Sequence, residues 1–193
     1  MEKTKNVLIA GVGGQGVILS SDIMSQAAVN SSCDVKKSEI HGMSQRGGSV
    51  SSHIRFGEKV HSPVISSGTA DIIISMEEME TLRWLDHASG ETLVVVLANR
   101  ILPANVKNYP GNIRELLEKK VKNLFVIEPA GLLDIVKVKK IINSAVLGAV
   151  SAFLPFGDDA WEKAFEELCP AGTADKNKAA FFQGKAVKRE VQK

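Results

Sequence analysis

Residues 6–17, "NVLIAGVGGQGV", constrain the fold more than any other stretch of the chain. A short unbroken apolar run is followed at once by a cluster of glycines and then by helix-forming sequence. Such a run suits a strand buried on both faces, which requires helices on both sides of a mainly parallel sheet. Gly11, Gly13 and Gly16 satisfy the G-x-G-x-x-G spacing, Gly14 opens the loop further, and Gln15 is its one polar side chain. Glycines at these places permit a tight turn and let backbone N–H groups approach a phosphate at the positive end of the next helix. The same turn serves any close helix–strand packing, so the spacing alone leaves both readings open. A dinucleotide site also wants an acid about twenty residues on, at the end of the second strand. Asp34 has that spacing but precedes the strand, and Glu39 sits at its far end, where a stranger segment begins.

That segment, "EIHGMSQRGGSV" from Glu39 to Val50, suits neither helix nor strand. Arg46 offers a bidentate fork to a carboxylate or phosphate, His41 a donor or proton carrier, and Gln45 a hydrogen bond in either sense. Gly47 and Gly48 suit a backbone that turns sharply or passes close to a ligand or another chain. The plainer alternative is a surface loop whose arginine pairs locally, for example with Glu39.

Along the rest of the chain, strands are expected over 6–10, 35–40, 49–55, 71–76, 92–98 and 123–127. Residues 60–64 read as the second arm of an antiparallel hairpin with 49–55, turning at "FGEK", with Pro63 restricting that arm to an edge. Helices are expected over 17–29 (with Ile18, Ile23, Met24 and Ala27 inward), 77–86, 112–121, 141–154, 158–168 and 174–188. The expected fold is a three-layer α/β domain spanning 1–193, with a mostly parallel sheet, one early antiparallel hairpin and a Rossmann-like opening.

Composition narrows the function classes. A net charge of +2 and 5% aromatic residues argue against a nucleic-acid surface or an anionic membrane. The longest apolar run, 93–98, is far short of a membrane span, and no signal-peptide-like stretch opens the sequence, so a cytoplasmic protein is expected. The two cysteines, Cys33 and Cys169, cannot form a four-thiolate iron–sulfur site. Any redox metal would therefore sit on another chain, and no metal site is expected here. Glu77, Glu78 and Glu80 crowd a helix start, where the dipole favours them and surface pairing with Arg83 accounts for them. His53 and His61, across the expected hairpin, lack a third metal ligand.

"GVGGQGV" followed by "VKKSEIHGMSQRGGSVSSHIRFG" resembles the gamma-type domain of the 2-oxoacid:ferredoxin oxidoreductases. The form with histidine, glycine and methionine ahead of "QRGG" is similar to the beta subunit of the indolepyruvate branch. The likeness continues through Glu77, Glu80 and Arg83, then Asn99 and Pro103, then "NSAVLGA" from Asn143 and "NKAAFFQG" from Asn177. It departs at Glu128–Pro129, where the family pattern is aspartate–alanine.

The resemblance implies one subunit of a complex that oxidatively decarboxylates an arylpyruvate with coenzyme A, giving an arylacetyl-CoA, CO2 and reduced ferredoxin. It implies thiamine diphosphate, Mg and 4Fe–4S clusters on a larger alpha subunit, and none bound by this chain alone. The Gly11–Gly16 loop would then face a phosphate or a partner carboxylate, and Arg46, with His41 and Gln45, would contact coenzyme A or the partner. Catalytic residues are not assigned. Two alternatives stay open: a subunit for pyruvate, 2-oxoglutarate or 2-oxoisovalerate, and a free-standing NAD(P)- or FAD-binding module.

Overall fold

The computed structural model describes residues 4–41, 47–102, 107–136 and 141–187. A six-stranded sheet forms its middle layer. The strands are β1 (Lys5–Val12), β2 (Asp34–His41), β3 (Ser49–Gly57), β4 (Ala70–Ser75), β5 (Ala88–Leu97) and β6 (Asn123–Ile127). Their order is β2-β3-β1-β4-β5-β6. The pairs β1–β4, β4–β5 and β5–β6 are parallel, whereas β3 runs antiparallel to both neighbours. The sheet is therefore mixed and mostly parallel, as expected.

Alternation along β1 sets the layers. Val7 and Ile9 join a larger core covered by α1 (Val17–Asn30), α5 (Ile142–Ser151), α6 (Asp158–Leu168) and α7 (Ala174–Lys185). Leu8 and Ala10 join a smaller core beneath α2 (Glu78–Arg83) and α3 (Ile113–Lys120). All four β1 side chains are fully buried, which is why the run lacks polar residues. A further helix, α4 (Pro129–Val136), follows β6 and was not anticipated. Proline is at home in a first turn, where its missing N–H would have no helical partner anyway.

The hairpin assigned to 49–55 and 60–64 is not formed. β3 pairs instead with β2 on one side and β1 on the other, so the antiparallel hairpin is β2–β3. Side chains satisfy the 60–65 backbone where a ladder was expected. Val60 N–H donates to Asp34 Oδ2 (2.8 Å), and Ile65 N–H donates to His53 Nδ1 (3.1 Å). The Arg55 guanidinium donates to the Ser62 carbonyl at 2.9 Å. Residues 58–69 thus form a strap lashed across β3. Ile18 departs from expectation too: it is 41% exposed, while Ile23, Met24 and Ala27 are buried.

The motifs "NSAVLGA" and "NKAAFFQG" meet in one helix contact. Ser144 Oγ donates to Asn177 Oδ1 (2.7 Å), and Gly148 and Gly184 let the α5 and α7 backbones touch. A Cβ on Gly148 would collide with the Phe181 carbonyl, and one on Gly184 with the Ala145 carbonyl. Neither clash can be relieved by turning a side chain. Gly148→Ala should therefore cost about 2–3 kcal/mol, the upper range for overpacking. In a domain of this size that lowers Tm by roughly 4–12 °C. An unchanged thermal melt would show that α7 slides freely on α5.

Candidate functional site

Strand order places a crevice at the carboxyl ends of β1 and β4. There the chain turns one way to β2 and β3 and the other way to β5 and β6, the arrangement at which open α/β sheets bind ligands. A cavity of about 550 Å3 occupies it, lined by Gly13, Gly14, Gln15, Met76, Arg100 and Ile142 among others. That size suits a small-molecule fragment or an inserted side chain. A second cavity, of about 380 Å3, lies by Ser89 and Lys120 at the opposite edge of the sheet, far from the glycine loop.

The glycine loop is partly closed on itself. Gly13 N–H donates to the Gly48 carbonyl (2.8 Å), and Gln15 N–H to the Val12 carbonyl (3.1 Å). The Gln15 side chain fills the loop, accepting from Val12 N–H (2.7 Å) and donating to the Met76 carbonyl (2.6 Å). Two glycines are required by this packing. A Cβ on Gly11 would lie 2.8 Å from both Gln15 Oε1 and Val17 Cγ2. Gly16 has φ +76°, and a Cβ there would lie 2.6 Å from Asn143 Nδ2. The Gly14 and Gly16 N–H groups have no acceptor among the described residues. Helix α1 starts at Gly16 without a side-chain cap or an acid in its first turn, so its positive end stays uncompensated toward the cavity.

The three carboxylates of α2 organise both sides of the cavity. Glu77, Glu78 and Glu80 are 1%, 2% and 6% exposed, so they are not the surface groups expected, although the expected Glu80–Arg83 pair is formed. Glu77 caps α2 through Glu80 N–H (2.9 Å), and its other oxygen accepts from Tyr109 Oη (2.6 Å) and Ile101 N–H (3.3 Å). Burial and the adjoining carboxylate push the Tyr109 phenol far above its usual pKa, so it stays a donor. Glu78 accepts from Arg100 Nε (2.8 Å), and Arg100 also lies over the Tyr109 ring at 5.6 Å. Glu80 accepts from Ser49 Oγ and from Arg83 Nε (3.1 Å). Short helices cannot bury acids cheaply, so each carboxylate is matched by donors from the neighbouring loops.

The sequence-derived candidates divide accordingly. Gly11, Gly13, Gly14, Gln15 and Gly16 form one loop at the crevice, and Gly48 is tied to it. Gly47 adopts φ +79° in open space, a turn requirement rather than a packing one. His41 ends β2, while Gln45 and Arg46 lie outside the described residues. Asp34 is held by Lys36 and Val60 N–H, and its carboxyl sits below the usual range because of those donors. Glu39 pairs with Lys37. Neither acid is therefore offered to a ribose, and β3 separates β2 from β1 where a dinucleotide fold would join them.

Arg100, Tyr109 and Ser49 were not singled out from the sequence. The signal for Arg100 was its position just past a strand, at the carboxyl edge where such sheets bind. The arrangement is suited to holding an anion: a helix amino end, free amides and a half-exposed guanidinium, against an apolar wall of Met76, Ile101 and Ile142. Among the described residues no group of three or more histidine, cysteine, aspartate or glutamate side chains is placed to hold a metal. The donor set does not fit an iron–sulfur cluster, since the whole chain has two cysteines.

A mixed α/β sheet with a glycine loop and a crevice at the carboxyl edge of its parallel strands defines an open α/β domain whose crevice lies at the topological switch point. Residues 6–187 match the pyruvate ferredoxin/flavodoxin oxidoreductase family, and the chain belongs to that family. It is 35% identical over 191 residues to indolepyruvate oxidoreductase subunit IorB of Methanothermobacter thermautotrophicus, covering 93% of this chain and 95% of that one. The Archaeoglobus fulgidus protein of the same name is 32% identical over 191 residues, covering 93% and 92%. In fold, the chain superposes on pyruvate oxidoreductase subunit PORC of Thermotoga maritima with a TM-score of 0.72 and 20% identity, over the full length of both.

Removing the Tyr109 hydroxyl would leave the buried Glu77 Oε1 with the longer Ile101 N–H bond (3.3 Å) and would strip its acceptor from Met79 N–H, which donates to Tyr109 Oη at 3.0 Å. Tyr109→Phe should destabilise the chain by about 1–3 kcal/mol in urea unfolding. A loss below the error of the measurement would show that solvent replaces the hydroxyl.

Proposed function

We propose that this chain is the subunit without redox centres of an arylpyruvate, in particular indolepyruvate, ferredoxin oxidoreductase. The observation that carries the reading is its identity of about one third to two archaeal indolepyruvate oxidoreductase subunits, over nine-tenths of both chains. The chain acts as one gamma-type unit, in the cytoplasm, bound to a larger catalytic alpha subunit. No helix among its described residues is long and apolar enough to cross a membrane.

The complex converts an arylpyruvate, coenzyme A and two oxidised ferredoxins to an arylacetyl-CoA, CO2, a proton and two reduced ferredoxins. Thiamine diphosphate with Mg on the alpha subunit supplies the electron sink for decarboxylation, and 4Fe–4S clusters there carry the electrons away. This chain's part is to bind and position. The Gly14 and Gly16 amides and the start of α1 face a phosphate of coenzyme A or a partner carboxylate. Arg46 makes the charge contact from the adjoining segment, His41 and Gln45 orient that segment, and Gly47 and Gly48 allow its close approach. The buried acids of α2 support this reading, because they fix both walls of the crevice independently of any ligand.

Co-production with the alpha subunit under anaerobic conditions tests the assignment. A stable complex that reduces ferredoxin with indolepyruvate in preference to pyruvate, 2-oxoglutarate and 2-oxoisovalerate is expected. A chain that purifies alone with bound NAD(P) or FAD would overturn it. Within the complex, Arg46→Ala should raise KM for coenzyme A, or weaken assembly, by roughly ten- to a hundredfold, the worth of one charged hydrogen bond. Unchanged kinetics together with unchanged assembly would remove Arg46 from the site.

A further inference from the structure

His53 stands apart from the crevice and has an unusual environment. It is 4% exposed, on the β3 face that packs into the smaller core. Its ring, that of Trp84 and that of His87 are in mutual contact, with centroids 5.4–5.9 Å apart. His53 Nε2, Trp84 Nε1 and His87 Nδ1 are all buried, and none has a hydrogen-bond partner among the described residues. Buried polar atoms are rarely left so, and three on adjoining rings mark a place where added charge has nothing to meet it.

The one hydrogen bond of the His53 ring fixes its protonation state. Nδ1 accepts from Ile65 N–H, so Nδ1 carries no proton and the proton of the neutral ring is on Nε2. Ile65 is 2% exposed and anchors the strap in the smaller core, beside Leu8 and Ile73. Titratable groups on the elements packed around the strap are Asp86 and His87 in the turn after α2, Asp34 and Lys36 on β2, Arg55 on β3, and Glu58, Lys59 and His61 in the strap. Asp34 is occupied by Lys36 and Val60 N–H. Burial, and then the charge of His87, hold His53 below its usual pKa.

We propose that His53 is an acid-sensitive latch: a proton taken up at Nδ1 breaks its bond to Ile65 and releases the strap around Ile65 from β3, while the Val60–Asp34 and Ser62–Arg55 ties and the sheet hold. An imidazolium has two N–H donors and no acceptor, so the Ile65 amide would face a like donor. The sign follows from the direction of the shift. The strap's attachment is complete above the ordinary histidine pKa of about 6.5 and is lost as pH falls through the lower folded value. Freed, the strap would uncover an apolar surface around Ile65 and Trp84 on the opposite face of the sheet from α1. This inference does not rest on the oxidoreductase reading.

Amide hydrogen exchange of the full-length chain, corrected for intrinsic rates, tests it between about pH 7.5 and about pH 5. Ile65 and its strap neighbours should lose protection by up to roughly tenfold per pH unit below about pH 6.5, levelling off at the folded pKa, while Ile73 in β4 keeps its own. His53→Asn places a non-titrating acceptor near the Nδ1 position and should make strap protection independent of pH. Flat protection in the unaltered chain, or the same acid loss in His53→Asn, would overturn the latch. His53→Gln gives a second reading should the first variant fold poorly: its side chain does not titrate, so an acid loss of strap protection persisting in it would equally sink the proposal.

Discussion

Three carboxylates at the start of one short helix hold the working edge of this protein together. Glu77, Glu78 and Glu80 are buried, yet together they reach donors on three other segments: Arg100 and Ile101 after β5, Tyr109 before α3, and Ser49 at the start of β3. A buried acid without partners would be strongly unfavourable, so the loops cannot leave without leaving charge stranded in the protein. That asymmetry gives the edge its order. The cavity between the loops is lined in part by Arg100 and Ile101, whose positions are settled by buried carboxylates that do not themselves line it.

The glycines act through packing as much as through freedom of φ. Gly148 and Gly184 bring two helix backbones together, and Gly11 makes room for the Gln15 side chain inside the first loop. A loop with the outward pattern of a phosphate cradle thus uses several of its own donors internally. What it retains for a ligand is Gly14, Gly16 and the uncapped start of α1.

Much of the fold was legible because periodicity and burial agree. β6 and α6 fall where alternation and helical spacing place them, and the apolar runs of β1 and β5 mark a sheet covered on both faces. Residues 60–64 misled because a strand-like pattern cannot reveal that His53, Arg55 and Asp34 will take the backbone bonds of a ladder. The glutamates misled because sequence shows charge but not the donors that arrive from 20 or more residues away. In the site, the glycine loop was readable from spacing. Arg100 and Tyr109 were not, since their role comes from strand order and not from any local motif.

The insertion of β3 between β1 and β2 reverses one strand at the edge where the others end. Its opening residues therefore enter the crevice from the opposite chain direction, and the Gly13–Gly48 hydrogen bond fastens them to the first loop. Two segments more than thirty positions apart are riveted into a single jaw. Force applied to either one would be transmitted to the first turn of α1, so a docking chain that grips the second segment would also set the tilt of the amides in the first.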